Sequence, residues 1–299
     1  MIIECVANVS EGRDAHALAA MAQAIRDVGD AHLADVHSDP DHHRAVFTVL
    51  GAPDVVEAAA LALAEAALAR VDMRRHQGLH PRLGALDVVP FVPLAGAPMR
   101  AAVDVAWRVG DALAARHALP VYFYGAAARA PARRDLPDVR RGGYESLAAR
   151  LATPAGAPDA GPARFDPRAG AVVVGAREVL VAYNVWLDSA DVAVARAVAR
   201  AVRERDGGLP AVRALGVPLP SRGLVQVSLN LLDPRVTPIP VAFDHVVAEA
   251  RRRGVGVRRA ELVGLAPRAA FAGRDPASVG LRDFSGEGEL ETHLARVHG

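Results

Sequence analysis

Apolar positions along the chain switch between two periods, and the switches mark out its elements. Residues 2–9 form a short, partly β-branched run that stops at Asn8, Ser10, Glu11 and Gly12, the pattern of a strand entering a turn. Residues 15–28 carry helical spacing. Residues 32–37 and 45–50 are apolar runs of strand length, separated by the polar SDPDHHR. Pro53 then stands at a first helical position with Asp54 behind it, opening an alanine-rich helix to about Val71. Strand, helix and short strand follow over 86–92, 101–117 and 121–124, so the first half reads βαββαβ with extra pieces at its end.

A stretch rich in Pro, Gly and Arg, about 126–170, separates this half from a second series. A short strand over 172–174, a longer one over 178–187, a helix over 188–205, a weak strand over 212–216 and a strand over 224–231 come next. Thr237 and Pro238 open a helix to about Arg253, and 255–262 returns as strand. The fold class expected is α/β (α+β), two βαββαβ subdomains of split βαβ, ferredoxin-like topology. The subdomains expected are 1–173 and 174–299, and the tail from Arg268 is expected to be partly ordered at best.

Composition narrows the chemistry. The 299 residues hold 52% hydrophobic and 23% charged residues, an ordinary globular balance. A formal charge of +1 gives no reason to expect nucleic acid or a membrane surface as partner. All 35 basic residues are arginine, so a Schiff base on lysine and a phosphate-loop lysine are excluded. Cys5 is the single cysteine, which excludes an internal disulfide and a multi-cysteine metal site and suits a reducing cytoplasm. The opening MIIECVANVSEGRD does not resemble a targeting signal.

Five of eleven histidines, His37, His42, His43, His76 and His80, gather around two short segments of the first half. Such a cluster suits proton transfer or metal binding. His76 and His80 have the spacing of a zinc-binding pair, but Gly78 lies between them, Pro81 follows, and Gln77 stands where a zinc hydrolase needs glutamate. No metal is expected. Pro81 biases His80 toward extended backbone, and Arg82, two residues on, would share its face of an extended chain.

The segments ECVANVSEGR, DVHSDPDHHRAVF, HQGLHPRLGALDVVPFVP, VGAREVLVAYNVWL and QVSLNLLDPRVTPI, in this order, resemble the glutamate formimidoyltransferase (formiminotransferase) family over residues 1–268. The resemblance implies two α/β subdomains with a folate-binding tunnel between them, and a homodimer. It implies transfer of a formimino group from N-formiminoglutamate to N5 of tetrahydrofolate, the co-substrate, in histidine degradation. The histidine before Pro-Arg, implied to be catalytic, is His80. The implied folate segment runs from Gly161, Pro162 and Ala163 through Arg164, Phe165, Asp166, Pro167 and Arg168 to Ala169 and Gly170. Substrate contacts are expected from His37, Arg44 and Arg82, and from the amides Asn184, Gln226 and Asn230.

Three positions depart from the family pattern. Leu79 replaces a glutamate before the histidine, His43 stands where DHNR has asparagine, and Trp186 replaces the second asparagine of AYNVNL. Two alternatives therefore stand beside formimino transfer: formyl transfer between glutamate and folate, or folate binding without turnover. About thirty residues follow the recognisable region, so a separate cyclodeaminase is expected to process the product.

Overall fold

The computed structural model describes residues 1–298, and the chain divides into two compact units, Met1–Arg177 and Glu178 onward. The first unit contains β1 (Ile2–Val9), α1 (Ala15–Arg26), β2 (His32–Asp39), β3 (Arg44–Gly51), α2 (Pro53–Arg70), β4 (Leu86–Leu94), α3 (Met99–His117) and β5 (Val121–Gly125). Two short helices, α4 (Leu136–Val139) and α5 (Leu147–Leu151), precede β6 (Val172–Ala176). Its sheet runs β2-β3-β1-β4-β6-β5. The first four positions are the βαββαβ pattern, with β1 antiparallel to both β3 and β4. Strand β6 lies parallel to β4 on one side and β5 on the other. It therefore belongs to this sheet, and the first unit closes at Arg177, four residues beyond the expected 173.

Alternation along β1 divides the two faces. Ile3, Cys5, Ala7 and Val9 pack in the core with Met21, Ile25, Leu63, Val105 and Val109 of the helices, which places Glu4 and Asn8 on the opposite face. Asp14 caps α1 by accepting hydrogen bonds from the N–H groups of His16 and Ala17. Helix α2 packs against both α1 and α3 as well as the sheet, so it carries buried alanines on several sides rather than one apolar stripe. On the other face, Val139, Leu147 and Leu151 join Tyr122, Tyr124, Val88 and Val173 in a second cluster. The Pro, Gly and Arg-rich stretch is thus folded onto the sheet.

The second unit contains β7 (Val181–Leu187), α6 (Val192–Val202), β8 (Val212–Leu219), β9 (Leu224–Leu231), α7 (Ile239–Arg251) and β10 (Val257–Val263). Its antiparallel sheet runs β10-β7-β9-β8, again the βαββαβ order. Tyr183, Val185, Val227 and Leu229 meet Ala195, Val198, Ala242 and Val246 in its core. The tail corrects the sequence reading. Phe271 and Val279 enter that core from short 3-10 turns and Leu281 from just beyond the second, and α8 (Leu290–His298) follows. Three apolar side chains at irregular spacing anchor the segment, so no period betrays it. Among the described residues no helix is long and apolar enough to cross a membrane.

Candidate active site

The loops after β2 and α2 interlock. Asp39 Oδ1 accepts from the N–H groups of Asp41 and His42, both at 2.8 Å, and folds the 39–43 turn back on itself. Leu79 N–H donates to Asp41 O at 3.3 Å, tying the second loop to the first. The loops approach so closely at Gly78 that a Cβ there would lie 2.3 Å from His42 O and 2.9 Å from His43 Cβ. Only glycine fits this crossing.

The histidines have different duties in it. His43 and His76 stack with ring centroids 4.3 Å apart. His76 Nδ1 accepts from Arg82 Nε at 3.2 Å, which leaves its Nε2 to donate to His43 O at 2.8 Å. Burial, then the nearby His43 and Arg82 charges, holds the His76 pKa below the usual histidine range. The nitrogens of His43 face Gln77 O at 3.1 Å and Glu11 Oε1 at 3.2 Å. Burial alone would raise the Glu11 carboxyl, but His43 and the N–H groups of Asp14 and Arg13 outweigh it and hold the carboxyl near pKa 2.

His80 is built differently. Its Nδ1 lies 2.8 Å from the carbonyl oxygen of Pro81, which can only accept, so Nδ1 carries the proton and Nε2 carries a lone pair in the neutral ring. Among the described residues Nε2 has no hydrogen-bond partner. The His42 ring lies 5.8 Å from it, centroid to centroid. Burial, followed by the charges of Arg44 and Arg140, pushes the His80 pKa well below the usual range, so the ring is neutral at pH 7. The departure at Leu79 places an exposed apolar side chain beside it.

Beneath the loops lies a charge network on the face of the sheet away from the helices. Asp87 is fully buried. One of its oxygens accepts from Leu83 N–H at 2.8 Å. The other accepts from Arg44 Nη1 at 2.6 Å and from Arg140 Nη2. Arg44 also donates from Nε and Nη2 to Asn8 Oδ1, at 3.0 and 2.6 Å. Neither Arg44 nor Arg82 is an open fork, because Arg82 Nη2 holds Glu145 Oε1 at 2.7 Å and its Nε holds His76. His37 sits in the edge strand β2 opposite Val46, and no described contact joins it directly to His80.

Residues 161–170 run beside the same loops. Met73 N–H donates to Arg168 O at 3.0 Å, Ala85 N–H to Ala169 O at 2.8 Å, and Gly84 bridges Gly170. Phe165 packs against Tyr144, centroids 5.5 Å apart, and the Arg82 guanidinium lies 5.7 Å from the Tyr144 ring. Arg168 Nη2 donates to Ala69 O at 2.9 Å, and Arg164 is exposed. The segment thus sets aromatic rings and arginines next to the histidine loop, a donor set that fits an aromatic heterocycle carrying carboxylates.

In the second unit, Asn184, Gln226 and Asn230 share the sheet face away from the helices, since Tyr183, Val185, Val227 and Leu229 point into the core. Asn184 is opposite Ser228, between Gln226 and Asn230 on β9. Asn184 and Gln226 are buried, whereas Asn230 is exposed. Asn184 Nδ2 donates to Glu261 Oε2 at 3.4 Å.

Sequence reasoning singled out His80, His76 and Arg82 but missed Asn8, Asp87 and Arg140. An acid inside the apolar run LDVVPF was a usable signal for Asp87. Arg140 stood among many arginines of a stretch read as loop, with nothing to distinguish it.

Comparison with known proteins agrees with this layout. Residues 2–177 match the formiminotransferase domain, N-terminal subdomain, and residues 182–274 match the formiminotransferase domain. A glutamate formimidoyltransferase of Streptococcus pyogenes serotype M1 is 34% identical over 294 residues, covering 98% of each chain. One from Thermoplasma acidophilum is 40% identical, covering 90% of this chain and 89% of its own. The formimidoyltransferase-cyclodeaminase of Sus scrofa is 41% identical, and the match spans 89% of this chain but 50% of the pig protein. The chain belongs to the formiminotransferase family.

Proposed function

We propose that the protein transfers a formimino group from N-formiminoglutamate to N5 of tetrahydrofolate, releasing glutamate, as a step of histidine degradation in the cytoplasm. The observation that carries this reading is His80, a neutral imidazole whose Nδ1–H is committed to Pro81 O and whose Nε2 is left as the base. Tetrahydrofolate supplies the nucleophilic amine when bound. His80 takes the proton that this amine sheds and delivers one to the departing glutamate nitrogen, a shuttle in which the same group serves twice.

The other residues hold and shape. Asp87 positions Arg44 and Arg140, whose charges keep His80 unprotonated and draw acidic substrates toward it. Phe165, Tyr144, Arg164 and Arg168 are the residues we assign to the folate, with Arg82 beside them. Asn184, Gln226 and Asn230 are assigned as directional polar contacts to substrate, and His37 as a further one. The single cysteine suits the reducing compartment, and we extend the reading to a homodimer, the state implied by the family.

The test is to incubate the purified protein with tetrahydrofolate and N-formiminoglutamate and identify the folate product by mass spectrometry. Appearance of 5-formiminotetrahydrofolate with equimolar glutamate is the expected result. No product with this donor, but product with N-formylglutamate, would replace formimino by formyl transfer. Folate binding without product from either donor would reduce the protein to a binder.

A further inference from the structure

Trp186, which stands where the resemblance implies asparagine, has unusual surroundings. It lies in β7 between Gln226 of β9 and Arg259 of β10, on the sheet face that carries Asn184. Its ring is covered by cations: the Arg222 guanidinium carbon is 4.7 Å from the ring centroid and that of Arg259 is 5.3 Å away. Its Nε1 is buried, yet no described atom of the chain accepts its proton. The protein's other tryptophan, Trp107, behaves in the ordinary way and donates to Ala127 O at 3.0 Å.

A buried N–H without an acceptor is costly, and buried indoles almost always find one. The two groups over this ring cannot help, because a guanidinium has donors and no acceptor. What the site offers is one oriented donor beside two guanidinium groups, of which that of Arg259 also pairs with Asp283 Oδ2 at 2.9 Å. An asparagine at this position would supply a donor and an acceptor, whereas indole supplies the donor alone. The matching ligand group is one that only accepts and is negatively charged.

We infer that Trp186 Nε1, with Arg222 and Arg259, forms a carboxylate subsite on the second unit, in which the indole N–H donates to a ligand carboxylate oxygen. Two sources of that group exist under the formimino-transfer reading, on which this assignment of ligands rests: the carboxylates of N-formiminoglutamate and the glutamyl end of the folate. Formation of the hydrogen bond moves no proton and breaks no covalent bond, so it concerns binding and selection of substrate.

The test compares wild-type protein with Trp186→Phe, which keeps a ring under the two cations and deletes the donor. Calorimetric titrations use N-formiminoglutamate, pteroylglutamate and pteroate, the last lacking the glutamyl carboxylates. Loss of one hydrogen bond to a charged acceptor should weaken binding about tenfold to a hundredfold. A loss confined to N-formiminoglutamate assigns the subsite to the donor substrate. A loss for pteroylglutamate but not pteroate assigns it to the folate end. Trp186→Asn should recover part of the affinity by restoring a donor. Equal affinity of Trp186→Phe and wild type for both acids overturns the inference.

A measurement on the unmodified protein guards against a variant that fails to fold. The indole 15N–H resonance of Trp186 should move downfield on adding the acid it binds, while that of Trp107 stays in place. A Trp186 resonance unmoved at saturation with either acid overturns the subsite. These readouts need no turnover. A shifted indole in a protein that forms no product would sink the formimino-transfer reading and leave the carboxylate subsite standing.

Discussion

Replacing Asp87 by asparagine is the sharpest perturbation of the charge network. The side chain keeps its shape and loses its charge, while Arg44 and Arg140 remain where they were, sharing an oxygen that is no longer anionic. Each ion pair at about 4 Å contributes roughly 4 kcal/mol of attraction at an effective dielectric of 20, offset by desolvation. The net cost of breaking one buried pair is about 3–5 kcal/mol, and here two cations are left facing each other in a site with no exposed carboxylate surface. For a unit of this size 1 kcal/mol shifts the melting temperature by about 2–4 °C, so a drop of roughly 6–20 °C is expected. Asparagine also presents an N–H₂ that can turn toward a guanidinium, which adds to the penalty. Thermal unfolding followed by circular dichroism, at one protein concentration and in moderate salt, measures it. A shift under 2 °C would refute the claim that Asp87 is the anionic keystone, and would mean that the two arginines find other partners.

Four further outcomes are expected. His80→Asn should leave the melting temperature nearly unchanged while kcat falls about a hundredfold or more, and near wild-type turnover would dismiss His80 as the base. Because the His80 pKa is depressed, the neutral ring persists well below pH 6.5; the acid limb of kcat/KM should lie below that value, and a limb at or above it contradicts the geometry. Burial, opposed by Arg177, raises the Glu4 carboxyl to a pKa of about 7. The folded state then binds the extra proton between about pH 4.5 and 7, so this contribution to stability is complete below pH 4.5 and is lost as pH rises through 7, by at most about 3 kcal/mol. Glu4→Gln should remove that decline in a pH series of melting temperatures, and parallel curves for variant and wild type would refute it. Gly78→Ala should lower the melting temperature and kcat together, since the new methyl must displace the backbone at His42; a fully active, fully stable variant would show that the loops are not locked there.

The two βαββαβ units were legible because their strands and helices are long enough to show a period and are bounded by turn residues. The reach of β1, β3 and β9 came within a residue of their final ends. What escaped was structure made by contact rather than by repetition. Phe271, Val279 and Leu281 each fill a place in the second core from an irregular stretch, so the tail looked loose in sequence and is packed in space. Val139, Leu147 and Leu151 pack on the first sheet from helices of four and five residues, too short to show a period. The histidine cluster could be seen as residues, but not the division of labour within it. Stacking fixes His76 and His43, and a carbonyl one residue away fixes the tautomer of His80, which no spacing announces. Arg44 and Arg82 looked like carboxylate clamps, and their guanidinium groups turned out to be held by Asp87, Asn8, Glu145 and His76.

The position of β6 has a consequence for how the chain must be cut and how it must be made. This strand is the last of its sheet to leave the ribosome, yet it fills the gap between β4 and β5, which do not pair with each other. Until residue 176 is available, two strands wait with open hydrogen-bonding edges, the condition that invites pairing with another chain. A fragment ending near residue 170, chosen to sample the first half alone, would leave its sheet split in that state. A soluble first half should require a terminus at or beyond Arg177, and the 46 residues between β5 and β6 must be laid down before the sheet can close.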